Sequence, residues 1–90
     1  MKTIDLREWP DHSLKGLTEG DKLIIENGEA FIILHTAFYS DYDEAWYYAA
    51  RTEQKLDDDF YGYEYIFVMD DWTLGQIDNV CYWSEITGAI

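Results

Sequence analysis

Asn27-Gly28 stands between two β-prone arms, Lys22-Leu23-Ile24-Ile25-Glu26 before it and Glu29 to Tyr39 after it. Asn and Gly both tolerate φ > 0, so the pair favours the two-residue type I′ turn, whose twist matches that of paired strands. The segment therefore predicts an antiparallel hairpin over residues 22–39, its long second arm bending near His35-Thr36. Upstream, Pro10 fixes φ and restricts Trp9, so Trp9-Pro10-Asp11-His12-Ser13 reads as a turn. Asp11 or Ser13 could cap a short helix through Leu17, ended by Gly20.

The rest of the chain is also mainly β-prone. Residues 3–6 alternate as a short strand, and Ser40-Asp41-Tyr42-Asp43 is a polar turn. Ala45 to Thr52 carries three consecutive aromatics and is assigned as strand on β-propensity. Glu53 to Tyr61 is a loop, and Tyr63 to Met69 is a strand closed by Asp70-Asp71. Leu74, Ile77 and Cys81 fit helical spacing, while Val80 to Ile86 fits an edge strand equally well. The expected fold is α+β, mainly β. It is a small curved antiparallel sheet of four or five strands, SH3-like or partly closed as a barrel, with one or two short helices. Ninety residues without repeat, linker or low-complexity tract suit a single domain over 1–90.

Charge narrows the partners. Nineteen Asp and Glu face six Lys and Arg, a formal net charge of −13. Direct binding to DNA or RNA requires cations against phosphates, and docking on an anionic membrane requires the same, so both are excluded. Composition still favours a folded chain, at 48% hydrophobic and 18% aromatic residues. With one cysteine, Cys81, no intramolecular disulfide can form. The first eight residues carry no apolar stretch, and the expectation is a cytoplasmic protein without a signal peptide.

Acids and aromatics fall in the same window. Residues 41–71 hold ten acids against Arg51 and Lys55, and residues 38–72 hold twelve of the sixteen aromatics. Same-face carboxylates two residues apart on an extended strand lie about 6.6 Å apart, twice the rise per residue. Asp41/Asp43 and Asp57/Asp59 have that spacing, close to that of successive phosphates on a DNA strand. Aromatic side chains between them supply anchors, and long-range charge speeds encounter with a basic partner. The candidate contacts are Asp41, Asp43, Glu44, Asp57, Asp58, Asp59, Asp70 and Asp71, with Tyr42, Tyr61, Tyr63 and Trp72 as anchors.

Catalytic and metal chemistry finds less support. Asp57-Asp58-Asp59-Phe60-Tyr61-Gly62 begins like a calcium loop, but Tyr61 stands at its fifth position and Val68 at its twelfth, where Glu is needed. His12 and His35 lack partners at ligand spacing, and one cysteine cannot complete a zinc quartet. No phosphate-binding glycine loop or nucleophile elbow is present. No metal, cofactor or catalytic residue is assigned, and the chain is read as a non-enzyme. Leu6-Arg7-Glu8-Trp9, with the stretch from Gly20 to Ala30, resembles the start of Phd/YefM-type antitoxins over about the first third of the chain. That resemblance implies dimerisation and operator binding through a basic surface. The −13 charge and Pro10 oppose it, and it is set aside.

The resulting expectation is an acidic stoichiometric inhibitor that mimics nucleic acid. It would occlude the basic site of a nuclease, a restriction or CRISPR effector, or a polymerase. Phage or mobile-element counter-defence proteins and nuclease immunity proteins share this character. The alternative is a generic acidic protein-interaction domain whose partner is unrelated to nucleic acid. An exposed aromatic sheet edge would also permit a homodimer. Self-repulsion at −13 should raise many folded-state carboxylate pKa values, so the expectation is a stability that rises as pH falls. Thermal melts between pH 7 and about 5.5 should show an increasing Tm. A flat response would mean that the acids are paired.

Overall fold

The outer strands Thr3–Asp5 and Leu74–Val80 bound a single curled, open sheet, a half-barrel of seven strands. The computed structural model describes residues 1–55 and 60–80. In chain order the strands are β1 (Thr3–Asp5), β2 (Lys22–Ile24), β3 (Ala30–Ile33), β4 (Phe38–Ser40), β5 (Ala45–Thr52), β6 (Tyr63–Val68) and β7 (Leu74–Val80). Their order across the sheet is β1-β2-β3-β5-β6-β7, with β4 also on β5. Three expectations are corrected. The sheet exceeds four or five strands, and the β1–β2 pair is parallel rather than antiparallel. No helix forms among the described residues: 11–17 is irregular and Leu74 to Val80 is strand. Cys81 and the alternative strand through Ile86 lie outside the described residues.

The 22–39 hairpin forms, but with a different turn. Ile25 O accepts the Gly28 N–H at 2.9 Å, and the Ile25 N–H donates to Glu29 O at 2.9 Å. Only Gly28 of the turn has a positive φ, +92°. This is a type I turn closed by a bulge glycine, not type I′. Asn27 serves with its side chain, its Oδ1 accepting the Glu29 N–H at 2.8 Å. The second arm breaks where the bend was expected. Ile33 pairs with Ala50 and Phe38 with Tyr47, so β3 and β4 both lie along β5, with His35 and Thr36 in the gap. On its other side β5 pairs with β6 from Trp46↔Val68 to Arg51↔Tyr63.

Period-two alternation sends Ile4, Leu23, Phe31, Ile33, Tyr48, Ala50, Ile66 and Val68 into the core. What covers this face is the connection between β1 and β2, which buries Leu6, Leu14 and Leu17 against it. It does so without a helix because its backbone bonds go to the sheet. Gly20 N–H donates to Ile33 O at 2.9 Å and Leu14 N–H to Trp72 O at 2.7 Å. Gly16, at φ +85°, interrupts the stretch where a helix was expected.

Two side chains lock this cover. The Tyr48 hydroxyl donates to Leu14 O at 2.7 Å and accepts the Leu17 N–H at 3.1 Å. The buried Asp21 accepts the Lys2 N–H at 2.9 Å and the Thr18 N–H at 3.0 Å. Those backbone bonds hold the Asp21 carboxyl below its ordinary pKa. A depressed folded-state pKa stabilises above the unfolded value, near 3.9, and that contribution is lost as pH falls through the folded value. Tyr48→Phe removes the partner of two buried backbone groups, each worth about 1–3 kcal/mol when orphaned. Urea unfolding should show a loss of about 2–4 kcal/mol at unchanged m-value.

Candidate functional site

The β5–β6 hairpin sorts the candidate residues into two ends. Asp41, Tyr42, Asp43 and Glu44 form the β4–β5 turn, and Asp70, Asp71 and Trp72 lie in the β6–β7 turn. Because Trp46 stands opposite Val68, both turns emerge at one rim of the sheet. Tyr61 and Tyr63 belong to the other end, beside Arg51 and Thr52. Asp57, Asp58 and Asp59 lie outside the described residues. The described acids of residues 41–71 are thus divided, with Asp41, Asp43, Glu44, Asp70 and Asp71 at one rim and Glu53 at the other end.

At the first rim the two turns enclose a cleft of about 300 Å³. Asp43, Glu44, Asp70 and Trp72 line it together with Tyr39 and Trp46, and no Lys or Arg does. The Trp46 ring lies 5.4 Å from the Tyr39 ring and 5.6 Å from the Trp72 ring, so the three rings are contiguous. Trp46 and Tyr39 are 41% and 48% exposed. Among the described residues no ion pair involves Asp43, Glu44 or Asp70. Asp43 is oriented by neighbours: its Oδ2 accepts the Ser40 hydroxyl at 3.3 Å and the Tyr47 hydroxyl at 3.2 Å. Asp71 instead accepts the Thr73 hydroxyl at 2.6 Å and the Thr73 N–H at 3.1 Å, which keep its carboxyl below the usual range. Asp41 is exposed, and Tyr42 at 96% exposure covers no core.

The backbone of this rim is strained. Among the described residues only Glu44 (φ +52°) and Trp72 (φ +66°) take a positive φ without being glycine, and both line the cleft. Trp72 repeats the geometry of Gly28: its N–H donates to Met69 O at 2.8 Å, and the Met69 N–H donates to Thr73 O at 2.9 Å. A tryptophan therefore sits where a hairpin of this type takes glycine. Its ring packs on Trp46 and, at 6.5 Å, on Tyr48, and its carbonyl receives the Leu14 N–H. Strained residues of this kind persist where the surroundings hold them, and they gather at functional sites.

The opposite end is chemically different. The Arg51 guanidinium lies 4.2 Å from the centre of the Tyr61 ring, and the Lys55 ammonium lies 5.8 Å from it. Tyr61 is therefore engaged by the chain's own cations. Lys22 pairs with Glu53 at 2.6 Å, and a cleft of about 420 Å³ opens beside Glu29, Glu53 and Lys55. Charge at this end is mixed rather than uniformly acidic. Tyr63 is half-buried in β6.

A further aromatic group covers the sheet face away from the core. Phe38 stacks on Tyr47 at 5.9 Å, and Tyr47 packs against Phe67 at 5.6 Å and Tyr65 at 6.0 Å. Burial raises the Tyr47 phenol pKa, and the neighbouring Asp43 and Asp78 raise it further.

Tyr39 and Trp46 were not among the sequence candidates. The signal was present: a four-residue loop over 41–44 places Ser40 against Ala45, and Tyr39 against Trp46 follows from that register. No family model, curated protein or solved structure matches the chain. No helix among the described residues is long and apolar enough to cross a membrane. A left-handed conformation costs a non-glycine residue about 1–2 kcal/mol, partly offset in glycine by its freer unfolded chain. Glu44→Gly should therefore stabilise the fold by about 0.5–1 kcal/mol, measured by urea denaturation.

Proposed function

We propose that this chain is an acidic stoichiometric inhibitor that mimics nucleic acid and occludes the basic site of a nucleic-acid-handling protein. The observation that supports the reading is the acidic rim. Two turns bring Asp41, Asp43, Glu44, Asp70 and Asp71 to one end of the sheet, and Asp43, Glu44 and Asp70 line a cleft there beside exposed rings, with no lysine or arginine among its described lining residues. A basic groove built for phosphates meets carboxylates carried on a stiff sheet, and the rings exclude water from the contact. Inhibition then follows from steric and electrostatic occlusion, without turnover. Asp57, Asp58 and Asp59 are kept as contact candidates in this proposal on their charge and spacing alone, with Tyr42 and Trp72 as anchors. The setting is the cytoplasm, that of the host cell for a phage or mobile-element protein.

A second reading rests on the aromatic face of Phe38, Tyr47, Tyr65 and Phe67. It makes the chain a protein-interaction domain with a partner unrelated to nucleic acid. Salt separates the two, because exposed charge pairs are screened and apolar contacts are not. The test is affinity capture from a nuclease-treated bacterial lysate, eluted in salt steps. The expected result is a basic nucleic-acid-binding protein released between roughly 0.05 and 0.5 M salt and displaced by duplex DNA. A salt-resistant, non-basic partner would overturn the mimic.

A further inference from the structure

We infer that the cleft between the β4–β5 and β6–β7 turns is an arginine socket, which receives one guanidinium side chain from the basic partner. This deepens the proposed function and rests on it for the identity of the partner, though not for the chemistry of the cleft. Three contiguous rings line it, Tyr39 edge-on to Trp46 at 67° and Trp46 tilted 40° to Trp72, and Asp43, Glu44 and Asp70 carry the charge. Ring faces attract cations, tryptophan most strongly, and carboxylates at the rim pair with the same cation. The volume of about 300 Å³ admits a long side chain rather than a folded element.

The donor set favours an organic cation over a metal ion. Among the described residues no three or more His, Cys, Asp and Glu side chains are grouped so as to hold a metal. Aromatic walls ligate no hard cation, but they match the weakly hydrated, planar guanidinium. Cation–ring contact already occurs at the chain's other end, where Arg51 lies at 4.2 Å and Lys55 at 5.8 Å over the same Tyr61 ring. The backbone agrees: Glu44 and Trp72 both hold left-handed conformations that bring a carboxylate and a ring to this cleft. At −13 the chain attracts the cationic side chain over a distance, and the socket orients it on arrival.

The test is an NMR titration of the indole N–H signals with a blocked hexa-arginine peptide, with blocked hexalysine as the charge-matched control. The Trp46 and Trp72 signals should move and saturate while that of Trp9, 62% exposed and in the β1–β2 connection, stays in place. Hexalysine should bind about threefold more weakly or less tightly still. Trp46→Ala should weaken hexa-arginine about fivefold, and Asp70→Asn, an exposed position that leaves the rings intact, about twofold. Equal binding of both peptides with no effect of either variant would reduce the cleft to diffuse charge and overturn the socket. Tetramethylammonium chloride binding at Trp46 and Trp72 more tightly than the arginine peptide would also overturn it, in favour of a small quaternary cation. The titration uses no partner protein. A socket that binds arginine while lysate capture yields no nucleic-acid-binding protein would refute the proposed function alone.

Discussion

The Tyr48 hydroxyl joins the two halves of the molecule. It stands on the central strand β5 and holds both a carbonyl and an amide of the connection that covers the core, Leu14 O and Leu17 N–H. Without a helix, this connection has no internal ladder to satisfy its backbone, so its polar groups must find partners on the sheet. Tyr48 supplies two, and Ile33 O and Trp72 O supply others. Leu6, Leu14 and Leu17 can then close the core as a helix would, with the chain almost wholly irregular.

The same arrangement explains how so acidic a chain folds. Its core takes the inward positions of the strands and three leucines of the β1–β2 connection, and the buried acid beside it, Asp21, is satisfied by two amides. Most of the other described carboxylates lie in turns and connections, with Asp5, Glu64 and Asp78 on strands. One turn is tied to the core, since the carbonyl of Trp72 anchors Leu14 while its ring lines the rim cleft. The acidic β6–β7 turn is thus anchored to the packed core.

Most strands were legible in the residues, because β-branched and aromatic runs bounded by Gly, Asn and Asp carry a strong local signal. What could not be read was non-local. The parallel pairing of Thr3–Asp5 with Lys22–Ile24 depends on the path of the intervening chain, and no local pattern encodes it. The helix expected after Pro10 had a cap and a stop, yet tertiary bonds to Tyr48 and Ile33 prevailed over that weak propensity. The turn at Trp72 escaped notice because its left-handed position carries the bulkiest side chain instead of glycine. For the candidate site, Asp43, Glu44, Asp70 and Trp72 were named from composition alone. Their meeting in one cleft required the register of β5 on β6, which also separates them from Tyr61 and Tyr63.

The parallel edge has a consequence for synthesis of the chain. β1 leaves the ribosome before β2, its strand partner among the described residues, and before the Tyr48 hydroxyl that secures the connection. The β4–β5–β6–β7 meander, by contrast, pairs only strands that are neighbours in sequence, which keeps its contacts local. The earliest of the described strands in sequence is therefore secured by later contacts, and the cover of Leu6, Leu14 and Leu17 is complete only once Tyr48 has been made.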